Sequence, residues 1–291
     1  MQEAEEKVLL KEDDEKTKKK KRRVWEVDFL RGFSIFMMFL DHFLYDVKTI
    51  PYYFSNAASV NNAFFNGLVD LSRWFSSGIR TPLHILFVAI FFSLSGISCT
   101  FSKNNFIHAL KIFIGAALIS GATFLLFYIS GQLGMEIDER IIFGVLVQLG
   151  LGVLLVAFIC LIPKKPIRLA LYLSIGTILV TLGFVFGIYS GEKTIWLYSF
   201  PTWEDVPALL WGSKGWGGDY FSTLWVGWTL LGAFIGETLY AKRKSILPAL
   251  DKGWHKPMTW LGRNALWAYL LHQPIVLGLL VGLCLLLGYR F

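Results

Sequence analysis

Seven long apolar stretches punctuate the chain, at about 29–47, 82–101, 106–128, 141–162, 167–189, 219–240 and 258–288. Most approach the ~20 residues that a helix rising about 1.5 Å per residue needs to cross a bilayer. They are too long, and alternate too little, for the strands of a membrane barrel. The pattern predicts an all-α fold, a polytopic membrane helical bundle with about seven transmembrane helices. The last stretch is overlong, which a tilt, a kink at Pro274 or a preceding interfacial turn would accommodate. Two connections, 48–81 and 190–218, are long and rich in aromatic residues. The amphipathic segment 64–75 in the first is expected to lie in the interface or to form a lid. The second carries Trp196, Trp203, Trp211 and Trp216. These are read as an aromatic belt at the headgroups, with a sugar-stacking rim as the alternative. No internal repeat is visible, which weighs against an inverted-repeat transporter.

Charge sharpens this picture. The 291 residues are 55% hydrophobic and only 17% charged, with a mean hydropathy of +0.54. The first 23 residues hold 16 of the 49 charges and end in Lys18, Lys19, Lys20, Lys21, Arg22 and Arg23. The rest of the chain is thus even poorer in charge, which excludes a soluble enzyme, a secreted disulfide scaffold and a disordered protein. Residues 1–23 are expected to be a disordered cytoplasmic tail whose basic end touches anionic lipid. Lysines and arginines are in excess in alternate connections, the outer ones holding Lys48, Arg73, Arg80, Arg140, Lys193 and Lys214 diluted by acids, which puts the N-terminus in the cytoplasm. The net charge of +7 follows from this topology and does not imply a nucleic-acid partner. Cys99, Cys160 and Cys284 lie in apolar runs without metal-ligand spacing and read as small buried hydrophobes.

Ionisable groups in hydrocarbon cost several kcal/mol, of order 2.5 or more each, so each needs a reason. The first span holds the most. Arg31 and His42 are eleven residues apart, almost three turns, which places them on one face about 16 Å apart along the axis. Asp46 follows His42 by one turn. His42 has the right chemistry for a general base near neutral pH, with Asp46 or Asp41 to orient its ring. A hydrogen bond that merely pins two helices is the bland alternative. Thr81 and Pro82 resemble the cap and first turn of the next helix, with Arg80 and His84 one turn apart. Asp138 and Glu139 read as helix-start acids, Gln148 as an interhelical hydrogen-bonding group and His108 as interfacial. Asp219 opens the sixth span. His272 sits by Pro274, whose missing N–H frees a backbone carbonyl upstream.

The topology sorts these groups into two clusters. The inner one, Arg31, Lys103, Asn104, Asn105, Lys111, Arg263 and Asn264, is cationic and amide-rich and suits a phosphate-bearing ligand. The outer one, Asp41, His42, Asp46, His84 and Asp219, suits proton transfer from a polar acceptor. No metal motif and no nucleotide-binding glycine fingerprint is present. A proton-coupled transporter or exporter of a lipid-linked or small polar substrate is the competing reading, because membrane His and Asp chains also serve as proton relays.

Four segments in chain order carry a resemblance. They are 23–33 with Met37, Met38, Asp41 and His42; Ser95-Gly96-Ile97-Ser98 with 102–105; Gly218-Asp219-Tyr220-Phe221; and 261–274. Together they resemble the heparan-alpha-glucosaminide N-acetyltransferase catalytic-domain family, within the wider transmembrane acyltransferases. The resemblance implies that residues 24–291 form one integral membrane acyltransferase-like domain, multi-pass, and placed in the plasma membrane if the source is bacterial. It implies acetyl-CoA as donor, bound by Arg31, Lys103, Asn104, Arg263 and Asn264, with no metal. His42, Asp46 and Asp41 would be catalytic. Arg80, His84, Asp219 and His272 would bind a glycan or amino-sugar acceptor on the opposite face. Membrane lipid is a further partner, and a homo-oligomer is a further candidate.

Overall fold

The computed structural model describes residues 23–132, 140–141, 144–189 and 223–291. Among them the chain is helical throughout, without strands. We label the helices α1 (Trp25–Thr49), α2 (Ala63–Trp74), α3 (Arg80–Phe101), α4 (Asn105–Gln132) and α5 (Val145–Cys160). They are followed by α6 (Lys165–Tyr189), α7 (Gly227–Thr238), α8 (Lys256–Arg263) and α9 (Ala265–Leu286). Four helical segments are long and apolar enough to cross a membrane: Ala63–Phe101, Asn105–Gln132, Lys165–Val185 and Ala265–Leu286. Helix α1 has the length, 25 residues, but carries Glu26, Asp28, Arg31, Asp41, Asp46 and Lys48. Helix α5 is apolar but has only 16 residues. Of the expected sixth span, residues 223–240 lie within the described residues, as a 3-10 turn at Thr223–Val226 followed by α7. Asp138, Glu139, the four tryptophans between 196 and 216, Asp219 and most of the tail fall outside them.

Two local departures from the sequence reading shape the site. Thr81 is not a cap, because α2 and α3 form one continuous helix joined by a π-turn at Phe75–Ile79. There the Arg80 N–H reaches back five residues to the Phe75 carbonyl. This widened turn lies just before Pro82, whose ring would otherwise press on the carbonyl four residues back. Asn62 starts the run by accepting from the Phe65 N–H at 3.0 Å. The Lys48 ammonium donates to the Ser76 hydroxyl in the π-turn at 3.0 Å, and Ser72 donates to the Leu44 carbonyl. The segment expected in the interface therefore packs on α1 through Phe65 and Ser72, while Phe64, Leu71 and Trp74 face outward. At the other end of the chain, Pro274 lies within an uninterrupted α9. The break in the overlong last stretch comes earlier, at Asn264 (φ −103°, ψ 25°), where α8 gives way to α9.

That break lets α8 cross α1 at backbone contact. A Cβ on Gly32 would fall 1.9 Å from the Met258 carbonyl oxygen, and one on Gly262 would fall 1.8 Å from that of Asp28. The α3–α7 crossing uses the same device, with a Cβ on Gly96 or Gly232 meeting the Thr229 or Ser93 carbonyl oxygen at 1.9 Å. Close approach through small residues is how helices gain packing energy where lipid removes the hydrophobic drive. The largest buried cluster joins α3, α4, α5, α6 and α7 around Phe92, Leu149, Val153, Tyr172 and Leu230. Gln148 is fully buried on α5. A second cluster ties the end of α1 to the end of α9 through Val47, Ile50, Phe65, Val276, Leu280 and Tyr289. Cys99 and Cys284 are buried as expected. Cys160 is exposed, at the end of α5, 3.2 Å from the Tyr172 hydroxyl.

Candidate active site

Polar groups gather at the two ends of α1. At the Arg31 end the centre is Asp28. Its carboxylate accepts from Arg31 Nη1 at 3.4 Å and from Arg263 Nε at 3.2 Å, with Arg23 Nη1 at 3.8 Å. Arg31 also donates to the Gly262 carbonyl at 3.4 Å, to the Leu94 carbonyl at 3.5 Å and to the Ser98 hydroxyl. One guanidinium thereby fastens α1 to α3 and α8. Of the expected donor-binding residues, Arg31 and Arg263 meet at Asp28, while Lys103, Asn104 and Asn264 have only local surroundings. Arg31 is enclosed. Arg263 is half-exposed. Lys103 is exposed in the turn between α3 and α4. Asn104 opens α4, its Oδ1 accepting from the Ile107 N–H at 3.1 Å. Asn264 donates to the Trp260 carbonyl at 2.9 Å, closing the end of α8. Asp28 was not among the sequence candidates. An acid in the first helical turn reads as a partner of the helix dipole; its place three residues before Arg31 was the available signal.

At the His42 end, two systems form on neighbouring faces of α1. Asp41 is buried and receives a forked pair from Arg80, at 2.7 and 3.0 Å, together with His84 Nδ1 at 3.2 Å. The Arg80 guanidinium also lies over the Tyr45 ring, 4.7 Å from its centroid. Asp41 thus directs its carboxylate at α3. The register set by the π-turn puts Arg80 and His84 one turn apart to meet it.

The second system joins α1 to α9. The His42 and His272 rings meet edge to face, with centroids 4.8 Å apart. His42 Nδ1 lies 2.9 Å from the Met38 carbonyl, and His272 Nδ1 hydrogen-bonds the Tyr269 carbonyl. A carbonyl can only accept, so in the neutral rings the proton sits on Nδ1 in both cases. Both Nε2 atoms then carry lone pairs, the form a general base needs. Asp46, buried one turn from His42, accepts from Gln273 Nε2 at 2.9 Å. Gln273 was missed as a candidate. An amide next to His272 in an otherwise apolar helix was the signal.

The arrangement can take a proton from a polar group brought between α1 and α9. Among the described residues no group of three His, Cys, Asp or Glu side chains could hold a metal. The family model described as "Heparan-alpha-glucosaminide N-acetyltransferase, catalytic" matches residues 23–274, a span that includes every polar group named above. No curated protein and no solved structure matches the chain.

Proposed function

The chain belongs to the heparan-alpha-glucosaminide N-acetyltransferase catalytic family, and from that premise we propose that it moves an acetyl group from cytosolic acetyl-CoA to a sugar amine or hydroxyl across the membrane. Its family and its apolar helices make it an integral membrane protein of the acetyltransferase class. In our reading seven helices cross the bilayer, the N-terminus is cytoplasmic and residues 24–291 are one catalytic unit. The Arg31 end then faces the cytosol. Lys103 and Arg263, with the amides of Asn104 and Asn264, meet the phosphates of the donor, and Arg31 holds the three helices that present them. The reactive centre lies toward the His42 end, about 16 Å away along α1. A donor with a long, thin acyl-bearing arm can bridge that distance.

The observation that carries the reading is the His42–His272 contact, with both rings pinned through Nδ1. His42 Nε2 accepts a proton from the acceptor amine or hydroxyl. The lone pair attacks the thioester carbonyl, the carbon–sulfur bond breaks, and the thiolate takes the proton back from the His42 imidazolium and leaves as CoA. Direct transfer needs only one centre open to both sides. Asp41, Arg80 and His84 line the approach from the far face, and Asp219 is assigned to that side as well.

The test is CoA release from acetyl-CoA by purified protein, wild type beside His42→Ala. Release that disappears in the variant, with folding retained, is the expected result. Equal release in both removes His42 from the mechanism. Binding of acetyl-CoA by neither, with both folded, moves the protein to the transporter class.

A further inference from the structure

Two hydrogen-bond acceptors on α9 are buried and lack a partner among the described residues: His272 Nε2 and Gln273 Oε1. His272 is only 7% exposed. Their chemistry is forced by their neighbours. The Tyr269 carbonyl claims the Nδ1 proton of His272, so Nε2 can only accept. The Asp46 carboxylate accepts only, so the amide nitrogen of Gln273 must face it, which turns Oε1 the other way. A buried acceptor without a donor is costly, because it has lost water and gained nothing in return. A fold that keeps two of them on consecutive residues, along the seam where α9 meets His42 and Asp46, holds them for something that brings donors.

We infer that His272 and Gln273 form an acceptor-recognition subsite. It reads a second hydrogen-bond donor next to the group that is acylated, as in an amino sugar with a neighbouring hydroxyl. The inference rests on the acyltransferase reading above and adds a specificity to it. An acceptor with one isolated amine leaves at least one of these atoms unpaired at the moment of reaction. A site built around hydrogen bonds discriminates steeply against an analogue that lacks one. The apolar surroundings strengthen the effect, because no water-rich environment competes for the orphaned atom.

The experiment measures acetyl-CoA-dependent CoA release by the full chain in lipid nanodiscs with two probes. trans-2-Aminocyclohexanol carries a hydroxyl beside its amine; cyclohexylamine does not. The wild-type protein is expected to prefer the first by about tenfold or more in kcat/KM. His272→Phe keeps a ring against His42 and removes both nitrogens, and it brings the ratio to within about threefold. His272→Gln restores an acceptor oxygen near the former Nε2 and recovers most of the preference. Three results overturn the inference: a wild-type ratio near one, a ratio unchanged in His272→Phe, or both probes losing rate equally, which would place His272 in the reaction instead of in recognition. Were the phenylalanine variant lost in purification, the wild-type ratio decides alone. Release of CoA into water that neither probe accelerates overturns the subsite and leaves the acyltransferase standing. No release under any condition removes both.

Discussion

The two ends of α1 use similar residues to opposite effect. At the Arg31 end the Arg31–Asp28 pair is saturated: three arginines surround Asp28, and the remaining Arg31 donors reach carbonyls or a hydroxyl on neighbouring helices, although Glu26 Oε2 nearby is buried without a partner among the described residues. At the His42 end, two acceptors are left waiting. A saturated buried network holds elements in one arrangement, whereas an incomplete one is costly unless a ligand completes it. The Arg31–Asp28 pair accordingly reads as architecture beneath a donor site, and the His42 end as chemistry. This moves Arg31 from a ligand-facing cation to the residue that positions the ligand-facing ones.

The largest effect expected is at the chemical end. His42→Ala should lower acetyl transfer by roughly 10²–10⁴, the usual contribution of a positioned general base. Its unfolding midpoint should stay within a few degrees of wild type. A variant that instead fails to fold would make the His42 end architectural too, and the comparison would collapse.

Next comes the other end. Arg31→Met should cost about 3–5 kcal/mol of stability, because it leaves Asp28 buried with fewer partners. Replacing both, Asp28→Leu with Arg31→Met, should recover much of that loss. The measurement is thermal or denaturant unfolding in detergent. Full stability in Arg31→Met together with a raised KM for acetyl-CoA would return Arg31 to direct donor binding.

A smaller effect tests the boundary between the systems at the His42 end. Asp41→Asn keeps the shape but removes the charge that the Arg80 fork and His84 share. One charged hydrogen-bond partnership of this kind contributes about 1.5–3 kcal/mol. Stability should fall by that order, and the rate should fall by less than in His42→Ala. A rate loss equal to that of His42→Ala would make Asp41, His84 and His42 one catalytic unit.

Much of this arrangement was legible in the residues, for identifiable reasons. Apolar runs at 82–101, 106–128 and 167–189 each became part of a helix because nothing in them competes with helical backbone bonding in lipid. Arg31, His42, Asp41, Arg80 and His84 stood out because charge in an apolar stretch is rare. What escaped was set by contacts distant in sequence. The local motif Thr81-Pro82 reads as a helix start. Lys48 and Leu44 on α1 hold the preceding segment in place through Ser76 and Ser72, and the chain widens into a π-turn instead of breaking. The break at Asn264 depends on α8 reaching backbone contact with α1 through Gly32 and Gly262. No period within 258–288 records that. The partners of the carboxylates were hidden for the same reason: proximity along α1 suggested Asp41 for His42, while the fold brought Arg80 and His84 to it from α3.

The smallest prediction is the most discriminating for donor binding. Lys103 is exposed in the α3–α4 turn, so Lys103→Ala removes no packing of consequence and should change stability by less than about 1 kcal/mol. If Lys103 meets a donor phosphate, the variant should raise the KM for acetyl-CoA several-fold and leave kcat unaltered, because it removes binding shared by ground and transition states. The difference between variant and wild type should shrink as salt rises, since an exposed charge is screened over roughly 10 Å at 0.1 M. Arg31→Met, acting through architecture, should show no such salt dependence. Equal salt responses from the two variants would mean that both arginine and lysine touch the donor, and that Arg31 binds ligand as well as holding helices.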